Sequence, residues 1–565
     1  MANLSQERRE RMLAFLQTLK AQHTDDDSLM ALGEIEKELK AKKYGLVWEE
    51  HEEEVDVKMR THIPVFTVDE DMEIDGDPSS ERFNFLLEGD NLHSLRLLEK
   101  THRGRIDVIY IDPPYNTGKS FTYADKTVES SDAFRHSKWL SFMRERLSIA
   151  SKLLSDKGVI FISINDAEEA QLKLLCDEVF GEANFVAVMP KKGSGGRQDS
   201  RYFAIVHEYV LCYAKQIDCY EAGRDTKSES DSKYNLIDEN GNPYKLQLLR
   251  KWGDNSRREN RPNLFYPIYF SPKTHTLDIE RQSEQDIEIF PMLSATEEGC
   301  WRWGKPTMLE NMRNHKVEIK KTKGEYIPYE RLYKPAEPET KPFTTWIDDT
   351  DNSTGSALLK SLLGSDLFDY PKPLDLIIKI LKMSSMSKDY TVLDFFAGSG
   401  TTGQAVMELN QQDGGNRRFI LCTNNENGIC ENVTYQRLKT VITGKRPDGS
   451  EYSGGIPANL MYFRTDFVDK ESEELSEELL EHIREMIQLE HGIKIDDQKY
   501  VIIMDDEEMD AFEQNFSSYT QLKAVFINQD VFLSSSQEEM LEKVDSYIIP
   551  DYYFDFELRE AGEIW

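Results

Sequence analysis

Apolar positions along this 565-residue chain change their spacing several times, and each change marks an element. Near the N-terminus Met12, Leu13, Phe15, Leu16 and Leu19 recur at helical intervals, and Leu29, Leu32, Ile35 and Leu39 do so again behind Asp27 and Ser28. Residues 1–43 therefore predict two short helices, suited to helix pairing or a dimer contact. From residue 83 the pattern becomes strand, helix, strand. FNFLLE (83–88) ends at Gly89-Asp90-Asn91, a helix carrying Leu92, Leu95 and Leu98 follows, and RIDVIYI (105–111), apolar apart from Arg105 and Asp107, is a run of the kind buried on both faces. WLSFMRERLSIASKLL (139–154) and GVIFISI (158–164) repeat the unit. Such alternation predicts a parallel α/β sheet.

The rhythm fails over residues 191–345, which are rich in Asn, Asp, Pro and Gly and hold only scattered aromatic strands such as LFYPIYF (264–270). It resumes with a helix at 372–382, the strand YTVLDFF (390–396), a helix from Thr401 to Leu409 and the strand RFILCT (418–423). The last hundred residues predict a helix (473–490) and strands at 500–504, 524–527 and 546–549. The implied plan is a helical segment (1–60), an α/β domain in two halves (61–190 and 346–450) around an insertion (191–345), and a small acidic α/β domain (451–565).

Charge alters this picture only once it is resolved along the chain. A net charge of -34 argues against a nucleic-acid partner. The first 80 residues, however, carry 10 basic and 20 acidic side chains and residues 455–565 carry 8 and 28, whereas residues 191–345 hold 26 and 24. There the basic residues are knotted at Lys191-Lys192, Arg250-Lys251, Arg257-Arg258-Arg261 and Lys320-Lys321-Lys323, so the insertion can face DNA while the acidic ends point away. Six cysteines without a CxxC pair read as reduced thiols, and no zinc site is expected. The charged N-terminal helix is unlike a signal peptide, and no run of 18 apolar residues would span a membrane; a cytoplasmic protein is expected.

Two stretches carry chemistry. DFFAGSGTTG (394–403) sets Gly398, Gly400 and Gly403 between a strand and a helix, a geometry that lets backbone approach a nucleotide cofactor at a helix N-terminus. A dinucleotide dehydrogenase or a tight structural turn would use the same spacing. Glu426 is the nearest acidic candidate for a ribose diol. Thr117-Gly118-Lys119-Ser120 mimics the end of a P-loop, but Pro113 stands where its first glycine belongs.

The second stretch is Asp112-Pro113-Pro114-Tyr115 at the end of an apolar strand. The amino group on a nucleobase is a weak nucleophile because its lone pair is delocalised into the ring. Two acceptors on its N–H bonds shift the nitrogen towards tetrahedral geometry, and Asp112 with the Pro113 carbonyl can supply them. The prolines fix φ and carry no N–H to compete. Tyr115 offers a flat face for an extruded base. A rigid turn is the bland alternative.

Together with KKYGLVWEE (42–50), LLEGDNLHSL (86–95), HSKWLSFMRERL (136–147), GVIFISIND (158–166), FGEANF (180–185), HEYVLCYAK (207–215), RKWGDNSRRENRPNLFYPI (250–268) and FDYPKP (368–373), these stretches resemble the β-class amino-group DNA methyltransferases, most closely the Mod subunits of type III restriction–modification systems. The resemblance implies a doubly wound, S-adenosylmethionine-dependent methyltransferase fold in which catalytic turn, recognition insertion and cofactor loop follow in that order. It implies cofactor contacts from Asp90, Pro371, Lys372, Pro373, Asp394, Phe396, Gly398, Gly400 and Thr401, with Glu426 the weakest match. Asp90 could instead cap a helix, and Pro371–Pro373 could simply start one. By the habit of that family, Asp rather than Ser before Pro-Pro implies adenine N6, with cytosine N4 as the alternative.

Sequence reading falls to the insertion, where Lys191, Lys192, Arg250, Lys251, Arg257, Arg258, Arg261 and Arg302 are candidates for DNA contact, with Trp252 and Trp303 beside them. Such residues are as readily solvated or paired with carboxylates such as Glu259. The expected partners are double-stranded DNA, a second copy of the chain and a separate helicase–nuclease subunit. A DNA methyltransferase and a specificity subunit that recruits that nuclease remain compatible readings. Asp505, Asp506, Glu507 and Glu508 could bind Mg²⁺, or could form a solvated first helical turn.

Overall fold

A computed structural model describes residues 4–23, 25–40, 48, 51, 53–116, 135–193, 202–226, 233–253, 255–322, 324–335, 340–365, 367–549 and 553–554. The Thr117–Ser120 stretch, Lys323 and most of the segment 42–50 lie outside these. The chain divides into two compact units, residues 1–224 with 342–565, and residues 225–341.

The first unit is built on one mixed sheet. Along its main path its strands are β1 (His62–Val68), β2 (Phe83–Glu88), β3 (Ile106–Ile111), β4 (Leu154–Ile164), β5 (Phe185–Lys192), β6 (His207–Ala214), β7 (Thr391–Asp394), β8 (Arg418–Thr423) and β9 (Asn459–Asp469), in the spatial order β1-β9-β2-β8-β7-β3-β4-β6-β5, and the short strand Ile74–Asp75 also pairs with β9. From β9 through β4 neighbours run parallel; β1, β6 and β5 pair antiparallel at the edges. Successive residues of a strand face opposite ways, so the sheet has two cores. Ile109, Ile111, Ile160, Leu393 and Ile420 face one, and Val108, Tyr110, Val159, Val392 and Leu421 the other. Helices cover both faces: α1 (Asn91–His102) and α2 (Arg135–Leu153) pack on the first, and α3 (Asn352–Leu363), α4 (Leu374–Ser384), α5 (Thr401–Asp413) and α6 (Gln436–Thr443) on the second. This is the expected doubly wound α/β architecture.

One neighbour relation matters most. β3 and β7 are nearly three hundred residues apart in sequence yet adjacent and parallel, with Val108 opposite Val392 and Leu393 opposite Ile109. Their C-terminal ends, Asp112 and Asp394, therefore open on the same edge of the sheet, where ligands bind in open α/β folds.

Two expected boundaries move. The insertion forms its compact unit from 225 rather than 191, because β5 and β6 complete the antiparallel edge of the main sheet instead of leaving it. The acidic C-terminal part is not separate from 451 onward. β9 lies between β1 and β2, and Leu475, Leu479, Ile483 and Met486 join the core under it. A three-stranded parallel sheet follows (Tyr500–Ile503, Ala524–Asn528, Asp545–Ile549), with Val501, Ile503, Met509 and Phe512 in its own core. The N-terminal helices Leu4–Lys20 and Asp26–Lys40 pair with each other, Lys20 meeting Glu36 at 2.6 Å.

The second unit holds a four-stranded antiparallel sheet (Leu236–Ile237, Pro243–Leu248, Val317–Thr322, Glu325–Tyr333) and a three-stranded one (Ile268–Ser271, Thr276–Asp278, Ile287–Ile289). Leu249, Tyr266, Ile268, Trp301 and Met308 form its small core.

Candidate active site

The Asp-Pro-Pro-Tyr turn leaves β3 as an ordered bend. The Trp139 indole N–H donates to the Pro114 carbonyl at 2.7 Å, which pins the turn to α2. Asn116 closes it at φ +49, donating to Glu168, and the buried Glu168 carboxylate also meets His136 Nδ1 at 2.6 Å. These three residues were not singled out in the sequence; the HSKW and IND stretches that carry His136 and precede Glu168 gave no chemical signal by spacing.

Asp112 does not stand alone. Lys372 Nζ lies 3.2 Å from Asp112 Oδ1, donates to Glu208 Oε2 at 2.7 Å and is 2.5 Å from the Tyr115 hydroxyl. The Tyr115 hydroxyl in turn donates to Glu208 Oε2 at 3.1 Å. Glu208, near the start of β6, is flanked on its other oxygen by Lys191 at 3.3 Å. Asp112 Oδ1 and Glu208 Oε1 are buried carboxylate oxygens that receive no well-formed hydrogen bond, although Lys372 stands 3.2 Å from the first and Lys191 3.3 Å from the second. Burial pushes the Asp112 carboxyl up, against the pull of the Lys372 charge. Burial would also raise Glu208, but Lys372 and Lys191 overcome it and hold that carboxylate down to about 2. The Lys372 ammonium is raised in spite of burial because two carboxylates face it.

The glycine loop connects β7 to α5. Gly398 has φ +49 and Gly400 φ +74, conformations a side chain resists. A Cβ on Gly398 would come 3.1 Å from the Phe368 ring and one on Gly400 3.1 Å from the Thr434 methyl. The obstacle at Gly398 is thus Phe368 and the backbone angle, not only an expected ligand. Glycine at the N-cap supplies no capping side chain, so the first turn of α5 keeps N–H groups available to a bound group. The loop is braced from behind. Buried Arg437 donates to Thr401 Oγ1 at 2.7 Å, to Ser399 Oγ at 3.2 Å and to Gln404 Oε1 at 2.8 Å. Thr434 Oγ1 donates to the Gly398 carbonyl at 2.5 Å. Arg437 and Thr434 were missed because a single polar residue on an amphipathic helix carries no pattern.

Several residues expected at the cofactor do other work. Asp394 is buried and turns both oxygens into its own loop, accepting from the Phe396 N–H at 3.0 Å and Thr402 Oγ1 at 2.5 Å. Burial raises its carboxyl to about 7, the two hydrogen bonds opposing. Asp90 caps α1, accepting from the Leu92 N–H at 2.8 Å, with Arg146 at 3.4 Å. Pro373 is the N-cap of α4, and Pro371 is buried against α3, where its carbonyl leaves no room for a Cβ on Gly355. Phe396 packs in the core beside Phe142. Glu426 is exposed on a short 3₁₀ turn past the end of β8, while Glu88, at the end of neighbouring β2, is taken by Tyr462, Arg464 and Asn425. Of the expected cofactor set, Gly398, Gly400, Thr401 and Lys372 converge at the sheet edge: Thr401 Oγ1 donates to the Lys372 carbonyl at 3.4 Å, so Lys372 touches the loop by its backbone and the catalytic turn by its ammonium.

The DNA-contact candidates also divide. Lys191 is fully buried between Glu208 and Asn352, in the main unit, and cannot meet a phosphate; Lys192 beside it is exposed. Arg250 is half-buried and donates to the Met292 carbonyl, with its guanidinium 5.1 Å from the ring of exposed Trp252. Arg257 and Arg258 are exposed, but pair with Glu297 at 2.9 Å and Glu298 at 2.7 Å rather than with Glu259. Arg258 also covers the Phe265 ring at 4.3 Å. Arg261 is exposed, Lys251 half-buried, and Arg302 stands 3.8 Å from Glu330. In the C-terminal part, Asp505 caps the helix Asp506–Asn515 and Glu508 reaches back to the Met504 N–H at 2.7 Å, a reciprocal cap that employs two of the four acids considered for Mg²⁺.

A carboxylate turn and a glycine loop at adjacent strand ends, with an insertion between them in sequence, find their counterpart among known proteins. The profile of a DNA methylase family matches residues 106–434, more than half of the chain. The chain belongs to that family. The EcoPI Mod subunit of the type III restriction–modification enzyme from Escherichia phage P1 is 38% identical over 377 residues, 61% of this chain and 58% of that protein. The type II methyltransferase M.KpnI from Klebsiella pneumoniae is 38% identical over 356 residues, covering 62% and 82%. The StyLTI Mod subunit from Salmonella typhimurium is 35% identical over 364 residues, covering 60% and 52%. The resemblance read from the sequence is borne out. The chain spans less than two thirds of the length of the two Mod subunits.

Proposed function

We propose that the chain is a site-specific DNA methyltransferase acting on adenine N6 in duplex DNA by base flipping, with S-adenosylmethionine as donor. The observation that carries this reading is the meeting of Asp112 with the Gly398–Gly400 loop at the ends of adjacent parallel strands. Bound at that loop, S-adenosylmethionine supplies a methyl group on a positively charged sulfur. Gly398, Gly400 and Thr401 would hold it, with Arg437 keeping the loop in shape from behind. Asp112 Oδ1, buried and without a well-formed hydrogen bond, accepts one amino N–H of the extruded base, and the Pro113 carbonyl accepts the other. Both acceptors sharpen the nitrogen lone pair, and Asp112 is placed to take the proton released as the N–C bond forms. The Tyr115 ring gives the base a stacking face.

The names of the EcoPI and StyLTI relatives support a modification subunit of a type III system; work in the cytoplasm, as a dimer and beside a helicase–nuclease subunit extends that reading. Incubating the purified chain with labelled S-adenosylmethionine and duplex DNA tests the reading. Label in N6-methyladenine supports it. Label in N4-methylcytosine moves the target base, and no transfer by the chain alone leaves the specificity-subunit reading.

A further inference from the structure

Methyl transfer as described leaves two charged side chains of the pocket without a task, Glu208 and Lys191. It also raises a conflict. The Lys372 ammonium stands 3.2 Å from Asp112 Oδ1 and 4.9 Å from the Tyr115 ring centroid, close to the acceptor and the ring that the target base must use. An ammonium and an exocyclic amine are both nitrogen donors, and they compete for the same carboxylate oxygen.

The geometry supplies a way out. Lys372 makes its shorter and better directed bond to Glu208, at 2.7 Å, while its approach to Asp112 Oδ1 forms no proper hydrogen bond. Glu208 is built to keep that bond. It sits on a strand of the main sheet rather than a loop, it takes the Tyr115 hydroxyl at 3.1 Å, and its second oxygen, which like Asp112 Oδ1 receives no well-formed hydrogen bond, faces the charge of fully buried Lys191 at 3.3 Å. Two carboxylates and two ammoniums make the set neutral, so a neutral amine can enter without leaving a buried charge unpaired.

We propose that Glu208 is a positioning residue for methyl transfer: the carboxylate onto which Lys372 withdraws from Asp112 when the target amine enters, with Lys191 as its anchor. The proposal rests on the methyltransferase reading of the same site. Without the Glu208 charge, Asp112 is the carboxylate left to Lys372 among the described residues, and the amine must break a buried ion pair to be bound.

The test is the isosteric change Glu208→Gln in the full chain, with labelled methyl transfer, calorimetric S-adenosylmethionine binding, and the fluorescence of duplex DNA carrying 2-aminopurine beside the methylated adenine, where extrusion of that adenine unstacks it. We expect kcat/KM for DNA to fall by about tenfold or more, chiefly through KM, with less base extrusion and unchanged S-adenosylmethionine affinity. Glu208→Asp, which keeps the charge, should recover part of the loss. In a Lys372→Met background, Glu208→Gln should add less than about a twofold further loss, because the two residues act as one unit. Wild-type kcat/KM in Glu208→Gln would overturn the proposal, as would losses that multiply in the double variant or a matching loss of S-adenosylmethionine affinity. Absence of methyl transfer by the wild-type chain would overturn the functional reading, and this proposal with it.

Discussion

Lys372 Nζ lies 3.2 Å from Asp112 Oδ1, joining the Pro-Lys-Pro stretch that starts α4 to the Asp-Pro-Pro-Tyr turn that ends β3. The resemblance assigns this lysine to the cofactor. In the structure its backbone meets the glycine loop through Thr401 and its ammonium faces Asp112. The link has a sign that pH can read. Burial raises the Asp112 carboxyl and Lys372 opposes that rise, while Glu208, Tyr110, Tyr115 and Asp394 are the other titratable groups coupled to it.

Replacing Lys372 with Met removes the opposing charge, so Asp112 holds its proton to a higher pH. The carboxylate is the working form. The acid limb of kcat/KM against pH is therefore expected to move upward in Lys372→Met. An unmoved limb would mean that Lys372 does not govern the ionisation of Asp112.

Gly398→Val is expected to lower S-adenosylmethionine affinity by more than about tenfold, since the φ of +49 disfavours a β-branched residue and the new Cβ would press on Phe368 at 3.1 Å. Calorimetry on the folded variant measures this. Unchanged affinity would move the cofactor away from the loop.

Arg146 is fully buried and ties three segments together. It donates to both Glu53 oxygens at 2.7 and 3.0 Å and to Asn91 Oδ1 at 2.6 Å, and Asn91 in turn donates to the Phe395 carbonyl at the edge of the cofactor loop. Removing one partner of a buried ion pair leaves the other uncompensated, so Arg146→Met should cost about 3–5 kcal/mol in urea unfolding. A cost below about 1 kcal/mol, the range of exposed pairs, would show that the network is not a structural anchor.

Arg257 and Arg258 each hold a glutamate in the described structure, and DNA phosphates would exchange for those partners. Arg257→Gln with Arg258→Gln is expected to lower the slope of log affinity against log salt by about one per arginine. Asp506→Asn with Glu507→Gln, far from any basic cluster in sequence, should leave it unchanged. Anisotropy across a salt series separates phosphate contact from ion pairing alone.

Much of this was legible in the residues themselves. Strands 83–88 and 418–423 fall where their apolar runs place them, because a strand buried on both faces shows consecutive apolar residues, Phe85–Leu87 in one and Phe419–Cys422 in the other. The glycines of the loop and the Asp-Pro-Pro-Tyr turn are local signals, and the structure brings them to the ends of adjacent strands. What the sequence hid is pairing at a distance. β9 reads as the start of an acidic tail, and only its neighbours show that it completes the main sheet. Lys191 reads as half of a basic knot, yet it is buried against Glu208, because a charge pattern does not say which face a strand residue takes. Glu208 itself lies in an unremarkable strand, and its role depends on a lysine more than 160 residues away.

The central claim is that this chain marks adenine in DNA by means of Asp112. Methylation-aware sequencing of DNA from a host expressing the wild-type chain, compared with Asp112→Ala, tests it most directly. We predict N6-methyladenine at one recurring sequence with the wild type, and its disappearance with Asp112→Ala while that variant still binds S-adenosylmethionine. N6-methyladenine that persists in Asp112→Ala, or its absence with the wild-type chain, would contradict the account.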